Sequence, residues 1–288
     1  MIKIGILGSD NSHALEFAKL ANIPHDGKIM FDDVRVTHIY GHKDEDTQRV
    51  VAGGNIPNIV TDPAQMLAHV DAVMVVFRDG VYHYKYALPF IQKGMPVWID
   101  KPITVDLNEC RKLVDAAKKY KSPLSGGSNC KLAGDIAKIR NYVDGGKKEG
   151  IKTALINFPI YLDSIYSGMH FYAAHLVEMT TEIFGLNVKG VYARINGANI
   201  NAMFEYNDYD IHLCFSRDTK KYSCTLVEEQ ENTFFDISIN DIASNGFADF
   251  VKTIRTRTTT YTIEYHYRIT ELVEAIKRST IENRRIVL

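Results

Sequence analysis

A doubly wound parallel α/β sheet, followed by an α+β domain with an open, mostly antiparallel sheet, is the fold class this sequence predicts. Three observations predict it. Up to Tyr120, apolar strands alternate with amphipathic helical stretches, the pattern of βαβ units. Ala72 to Phe77 is a nearly unbroken apolar run, as a strand covered on both faces should be. Beyond Gly150, strand-like segments follow one another with few helices between them.

The elements follow in order. Ile2 to Leu7 reads as the first strand. Ala14, Phe17, Ala18 and Ala21 recur at helical spacing and make the first helix. Val34 to Tyr40 is a second strand, and Pro96 to Ile99 is another after a Tyr- and Leu-rich helix kinked at Pro89 and closed near Gly94. Leu107, Cys110, Val114 and Ala117 form the stripe of a helix opening near Asp106. Lys121-Ser122-Pro123 and Gly126-Gly127 then punctuate the chain, which places the expected boundary between domains of 1–121 and 122–288. In the second domain, strands are expected at Lys152 to Phe158, Val188 to Asn196, Ala202 to Tyr206, Asp210 to Ser216, Tyr222 to Val227 and Phe234 to Ile239. Helices are expected at His170 to Phe184, Gly246 to Arg255 and Tyr265 to Arg278, before a last strand at Arg285 to Leu288.

The 288 residues suit two domains. A net charge of −1 gives no electrostatic reason to expect nucleic acid or an anionic membrane as partner. No apolar run approaches the ~20 residues that span a bilayer, and Met1 leads straight into a strand with no signal-peptide pattern. Cys110, Cys130, Cys214 and Cys224 include no C-x-x-C pair, so free thiols and a cytoplasmic location are expected.

A strand ending at Gly8 and a helix opening near Ser12 is the setting for dinucleotide binding. The turn reads Gly8-Ser9-Asp10-Asn11-Ser12-His13. A G-x-G-x-x-G fingerprint would place glycines at 8, 10 and 13, and only Gly8 is present. Asp10 brings negative charge to a helix N-terminus where a pyrophosphate would sit, unless it points away or a protonated His13 compensates. Asp10, Asn11 and Ser12 are equally good N-cap residues that need no ligand. The second strand ends in Tyr40-Gly41-His42-Lys43, without the carboxylate that usually meets the ribose hydroxyls. His42 and Lys43 could meet a 2′-phosphate, which favours NADP over NAD; a solvated turn running into Asp44, Glu45 and Asp46 is the alternative.

Asp100-Lys101-Pro102 follows the strand Pro96 to Ile99. Ligands of open α/β sheets bind at the carboxyl ends of the strands, and Pro102 keeps Lys101 out of helical geometry. With this tripeptide, the Gly8 turn and the strand at Asp71-Ala72-Val73, the chain resembles the glucose–fructose oxidoreductase / inositol dehydrogenase (Gfo/Idh/MocA) family of NAD(P)-dependent oxidoreductases over nearly its whole length. Asp100-Lys101-Pro102 is similar to the family's Glu-Lys-Pro motif, whose lysine contacts nicotinamide ribose and substrate. The loop Arg78-Asp79-Gly80-Val81-Tyr82-His83 stands where a Thr-Pro-Asn-His type sequence is common, Gly127-Ser128-Asn129 resembles the start of the second domain, and Gly168 through Gly185 resembles the substrate-side helix with His175 in its histidine position. The tail from Phe247 resembles the family's closing helices and last strand. Phe171 stands where the family usually has an aspartate.

The resemblance implies a Rossmann-type dinucleotide-binding domain and a substrate-binding, oligomerising α+β domain. It implies cofactor contacts from Gly8, Ser9, Asp10, Asn11, Ser12, His13, Gly41, His42, Lys43, Phe77, Arg78, Asp79, His83, Asp100 and Lys101. Substrate contacts would come from Lys101, Asn129, His170, Tyr172 and His175. The implied activity is hydride transfer at a hydroxyl or carbonyl carbon with Lys101 and His175 as the catalytic pair, in a homo-oligomer (dimer or tetramer). His175, with an ordinary pKa near ~6.5, is the natural proton carrier; Lys101 could stabilise the developing alkoxide or carry the proton itself. Glu178, one helical turn on, is the first candidate to orient the imidazole, and Asp163 the second. Tyr161, Tyr166 and Tyr172 suit a sugar- or polyol-like substrate, or simply pack. No metal is expected, because His170 and His175 lie ~140° apart around a helix. The alternative function is a non-catalytic relative that binds a sugar-like ligand or regulates a partner, its cofactor site decayed.

Overall fold

Alternation and apolar runs place the strands, and the helices cover them. The computed structural model describes residues 1–147 and 150–288. In chain order it has β1 (Ile2–Leu7), α1 (Ser12–Asn22), β2 (Val34–Tyr40), α2 (Asp44–Gly54), β3 (Asn58–Ile59), β4 (Ala72–Val75), α3 (His83–Gln92), β5 (Val97–Asp100), α4 (Leu107–Tyr120) and β6 (Leu124–Gly127). There follow α5 (Gly134–Tyr142), β7 (Ile151–Phe158), α6 (His170–Phe184), β8 (Gly190–Asn196), β9 (Asn199–Glu205), β10 (Asp210–Phe215), β11 (Tyr222–Glu228), β12 (Asn232–Ile237), α7 (Ile242–Thr256), α8 (Ile263–Glu282) and β13 (Ile286–Val287).

The chain divides into two units, Met1–Gly127 with Ala243–Tyr267, and Ser128–Ile242 with Arg268–Leu288. The sequence expectation placed the division at 121/122. The parallel sheet does not stop at α4, because β6 pairs with β5 from Val97↔Leu124 to Asp100↔Gly127. Residues 243–267 also return to the first unit, where Phe247 and Phe250 are buried with Phe17 and Trp98 in one core.

In the first unit the strand order is β3-β2-β1-β4-β5-β6, all parallel. Both faces are covered: Ile4, Ile6, Val36 and Met74 face the α1 side with Phe17 and Ala18, while Leu7, Val73, Val75 and Ile99 face α3 and α4 through Phe90, Ile91, Cys110 and Leu113. Strand order reverses between β1 and β4, so the crevice at their carboxyl ends is the ligand position that this topology offers.

In the second unit the order is β12-β11-β7-β10-β9-β8-β13, antiparallel except for β7 with β10. Ile200, Ala202 and Phe204 of β9 and Ile211, Leu213 and Phe215 of β10 alternate inward. Helix α6 covers that side of β7 and β10. The other face is open, and the register aligns Phe234, Thr225, Leu155, His212, Met203 and Tyr192 across it. No helix among the described residues is long and apolar enough to cross a membrane.

Candidate active site

The first unit's candidate groups converge on the end of β1. Gly8 has φ +109° and its N–H donates to Tyr40 O at 2.8 Å. A Cβ there would collide with the backbone nitrogen of Phe77, at the end of the run after β4. Gly8 is therefore needed for the close approach of two strand ends. Replacing it with alanine should destabilise the protein by roughly 2 kcal/mol or more, from positive φ and overlap together; an unchanged denaturation midpoint would refute this. A similar constraint explains the missing carboxylate after β2. At Gly41 a Cβ would strike the hydroxyls of Ser9 and Thr47, which are buried and 3.0 Å apart.

The rest of the turn is an N-cap. Asn11 Oδ1 accepts from His13 N at 3.4 Å, while Asn11 Nδ2 donates to Asp100 Oδ2 at 2.9 Å. His13 Nδ1 lies 2.6 Å from the same oxygen. The other oxygen, Asp100 Oδ1, accepts from Lys101 N at 2.7 Å. Asp100 is thus a buried carboxylate with three donors, and it ties the first turn to the lysine after β5. Burial lowers the pKa of His13, but the charge and hydrogen bond of Asp100 outweigh it and the net direction is upward. Burial likewise pushes the Asp100 carboxyl up, and the charge and hydrogen bond of His13, with Lys101, hold it below its ordinary value. Lys101 itself is only 4% exposed.

Asp10 turns aside from the helix start and accepts from Arg78 N at 3.2 Å. Beside it an open groove of about 410 Å³ is lined by Asp10, Asn11, Ser12, Lys19, Arg49 and Arg78, among others. A nicotinamide dinucleotide carries a diphosphate, and the groove meets it with three cationic side chains, Lys19, Arg49 and Arg78, against two carboxylates, Asp10 and Glu16, a small positive balance. Phe77 is fully buried, main chain included, so it presents no surface to a ligand.

Two candidates in this unit sit differently from expectation. His83 is fully buried, with Nδ1 2.7 Å from Pro102 O and Nε2 2.9 Å from Phe77 O. Its ring braces the loop against Pro102 and, being fully enclosed with a main-chain oxygen beside each nitrogen, is not presented to a ligand. His42 packs on Phe77 and Tyr82 at centroid distances of 4.6 and 4.7 Å, with Nε2 2.8 Å from Tyr86 Oη. Burial and Lys85 lower its pKa despite Asp10, which weakens it as a cation for a 2′-phosphate; Lys43 is exposed. Asp79 caps the turn that follows, accepting from Val81 N at 3.2 Å.

In the second unit His175 lies on α6, its Nδ1 2.7 Å from Ser128 Oγ and 3.4 Å from Cys130 Sγ. Glu178, the first candidate to orient the imidazole, meets Ser128 and Lys131. Its Oε1 accepts from Ser128 N at 2.7 Å, and its Oε2 pairs with Lys131 Nζ at 2.6 Å, all of them buried. A carboxylate in that apolar setting is held by the partners that satisfy its charge; it supports the serine that meets the ring. Asp163 pairs with Arg217 at 3.1 Å and is exposed. His170 is buried and turned to Ser167 O and Glu274, 3.3 and 3.5 Å away, so it packs where a substrate contact was expected. Asn129 is buried at the start of the short helix Asn129–Leu132. Phe171 packs on Tyr166 and Tyr172, and Tyr172 lies near Tyr161.

Ser128 escaped the sequence reading, and so did the joining of Asn11 and His13 to Asp100. The one local signal was Ser128 two residues before Cys130, the spacing of a serine that caps a turn, which it does at 3.1 Å from Cys130 N. Among the described residues no group of three or more His, Cys, Asp or Glu is placed to hold a metal ion.

Comparison with known proteins gives the same frame. Residues 2–128 match a family described as oxidoreductases with an NAD-binding Rossmann fold. A curated relative, scyllo-inositol 2-dehydrogenase (NADP⁺) IolW of Bacillus subtilis, is 24% identical over 216 residues, which cover 70% of this chain and 56% of that protein. The chain therefore spans little more than half of that relative's length. Among solved structures, scyllo-inositol dehydrogenase from Lactobacillus casei, with NAD(H) and scyllo-inositol bound, superposes with a TM-score of 0.83 at 14% identity, covering 100% of this chain and 99% of that one. Myo-inositol 2-dehydrogenase from Lactobacillus plantarum does so with a TM-score of 0.83 at 11% identity, covering 100% and 99%. With this fold, the Gly8 turn and the Asp100-Lys101-Pro102 segment after β5, the chain is similar to the Gfo/Idh/MocA oxidoreductases, whose family model matches its residues 2–128.

Proposed function

We propose that the chain is an NAD(P)-dependent oxidoreductase acting at a CH–OH or carbonyl carbon of a sugar- or polyol-like molecule. The observation that carries this reading is Asp100, which fixes the main chain of a buried Lys101 at the carboxyl end of β5. The inositol relatives support a polyol substrate. Gly8 to His13, with Arg49 and Arg78, would hold the diphosphate of the cofactor, whose nicotinamide supplies the hydride acceptor when bound. Lys101 and His175 are the groups proposed to take the hydroxyl proton and stabilise charge on the oxygen. Lys43 is the residue offered to a 2′-phosphate, so the proposal leans to NADP. The open sheet face with Phe234 and Leu155 is the surface proposed for self-association, and free thiols support a cytoplasmic location.

Thermal unfolding with NAD, NADH, NADP or NADPH at about a millimolar, followed by a screen of inositols and sugars, tests the reading. A ligand present at 100 times its Kd stabilises the folded state by ~2.7 kcal/mol, so one of the four should raise the midpoint clearly. No shift with any of them would overturn the proposal in favour of a non-catalytic ligand-binding relative.

A further inference from the structure

Ser128 is fully buried. Its hydroxyl oxygen already accepts the N–H of Cys130 at 3.1 Å, and its other polar neighbour is Nδ1 of His175 at 2.7 Å. A buried hydroxyl hydrogen needs an acceptor, and of these two neighbours only Nδ1 can be one. The serine is itself held: Glu178 Oε1 takes its N–H, and Lys131 holds the other carboxylate oxygen. With the ring proton on Nδ1 the hydroxyl oxygen would accept from Nδ1 as well as from Cys130 N, and its own hydrogen would be left without an acceptor; the Cys130 thiol, 3.4 Å from Nδ1, is the ring nitrogen's other neighbour.

We infer that Ser128 is a positioning residue that keeps the neutral His175 ring as its Nε2–H tautomer, so that the imidazole donates at Nε2 and does not accept a proton there. The inference rests on the oxidoreductase reading for its chemical meaning. A base at Nε2 requires a bare Nε2 and a protonated Nδ1, the opposite arrangement. His175 then serves as a hydrogen-bond donor to the substrate oxygen.

The test is long-range ¹H–¹⁵N spectroscopy of protein labelled at histidine, with His175→Gln assigning the resonances. In the wild type Nε2 should appear protonated and Nδ1 bare. In Ser128→Ala the pattern should shift towards a mixture, and Ser128→Thr should restore it. Turnover of Ser128→Ala should fall roughly tenfold in kcat with little change in KM, the loss expected of one buried hydrogen bond. A protonated Nδ1 in the wild type, or an unaltered pattern in Ser128→Ala, would overturn the inference. If Ser128→Ala does not fold, the wild-type spectrum decides alone. The spectra need neither cofactor nor substrate, so a protein that binds no dinucleotide would sink the proposed function and leave the tautomer to be judged separately.

Discussion

Replacing Lys101 with alanine is expected to lower turnover by at least about a hundredfold, the smaller end of what a positioned proton carrier contributes. The loss should fall on kcat and kcat/KM together, because a proton moves in the transition state and not in the bound ground state. Arginine is the informative companion. It keeps the positive charge but cannot give up its proton, so Lys101→Arg should be nearly as inactive as Lys101→Ala if Lys101 accepts the hydroxyl proton. If Lys101→Arg keeps most of the activity, the residue acts by charge alone. Near-normal turnover in Lys101→Ala would remove it from the mechanism. Circular dichroism and the unfolding midpoint must accompany both, since Lys101 is buried and a truncated side chain leaves a void. The variant should keep its fold, because the main-chain bond from Lys101 N to Asp100 survives any change of side chain.

What could be read from the chain, and what could not, divides by distance along it. Ala14, Phe17, Ala18 and Ala21 are all fully buried on α1, as their spacing predicts, and β1, β2 and β10 lie within one residue of their expected limits. Helix α2 went unseen because Asp44, Glu45 and Asp46 look like a solvated turn; they are the acidic first turn of a helix, where the dipole favours them. Strand β6 was hidden by Gly126 and Gly127, which read as punctuation. Yet Gly126 has φ +118° and lies so near Ile99 that no side chain would fit, so the glycine marks close pairing. The return of α7 to the first unit has no local signature, because an amphipathic helix can serve either core. The site follows the same rule. Asp100, Lys101 and His175 stood out by type and order, but Asn11 meets Asp100 across 89 positions and Ser128 meets His175 across 47. Spacing along one helix made Glu178 the first candidate partner for His175, while its contacts with Lys131 and Ser128 N depend on tertiary structure that spacing does not show.

The Asp100 network carries the largest stability effect and a pH dependence of definite sign. Asp100→Asn keeps the shape but replaces one oxygen with an NH2, which faces either Asn11 and His13 or Lys101 N, all of which donate. Breaking a buried pair on one side costs ~3–5 kcal/mol. Because the His13 side chain remains 24% exposed, about 3 kcal/mol is the expected loss. The folded-state pKa of His13 lies above its ordinary 6.5, so its share of the stabilisation is complete below 6.5 and fades as pH rises through the raised value. That of Asp100 lies below its ordinary 3.8, so its share is complete above 3.8 and fades as pH falls through the lowered value. The gap between wild type and Asp100→Asn should therefore be widest between about pH 4 and 6.5 and narrow towards pH 9. Urea unfolding at pH 5.5, 7 and 9 would measure it. A gap that stays constant, or widens in alkali, would mean that His13 is neutral beside Asp100 throughout. A narrowing gap would show that a charged histidine stands at the start of α1, where the diphosphate of a dinucleotide would be bound. The glycine missing at position 13 would then be answered by a cation, and binding of the cofactor should weaken over the same alkaline range in which the stability gap closes.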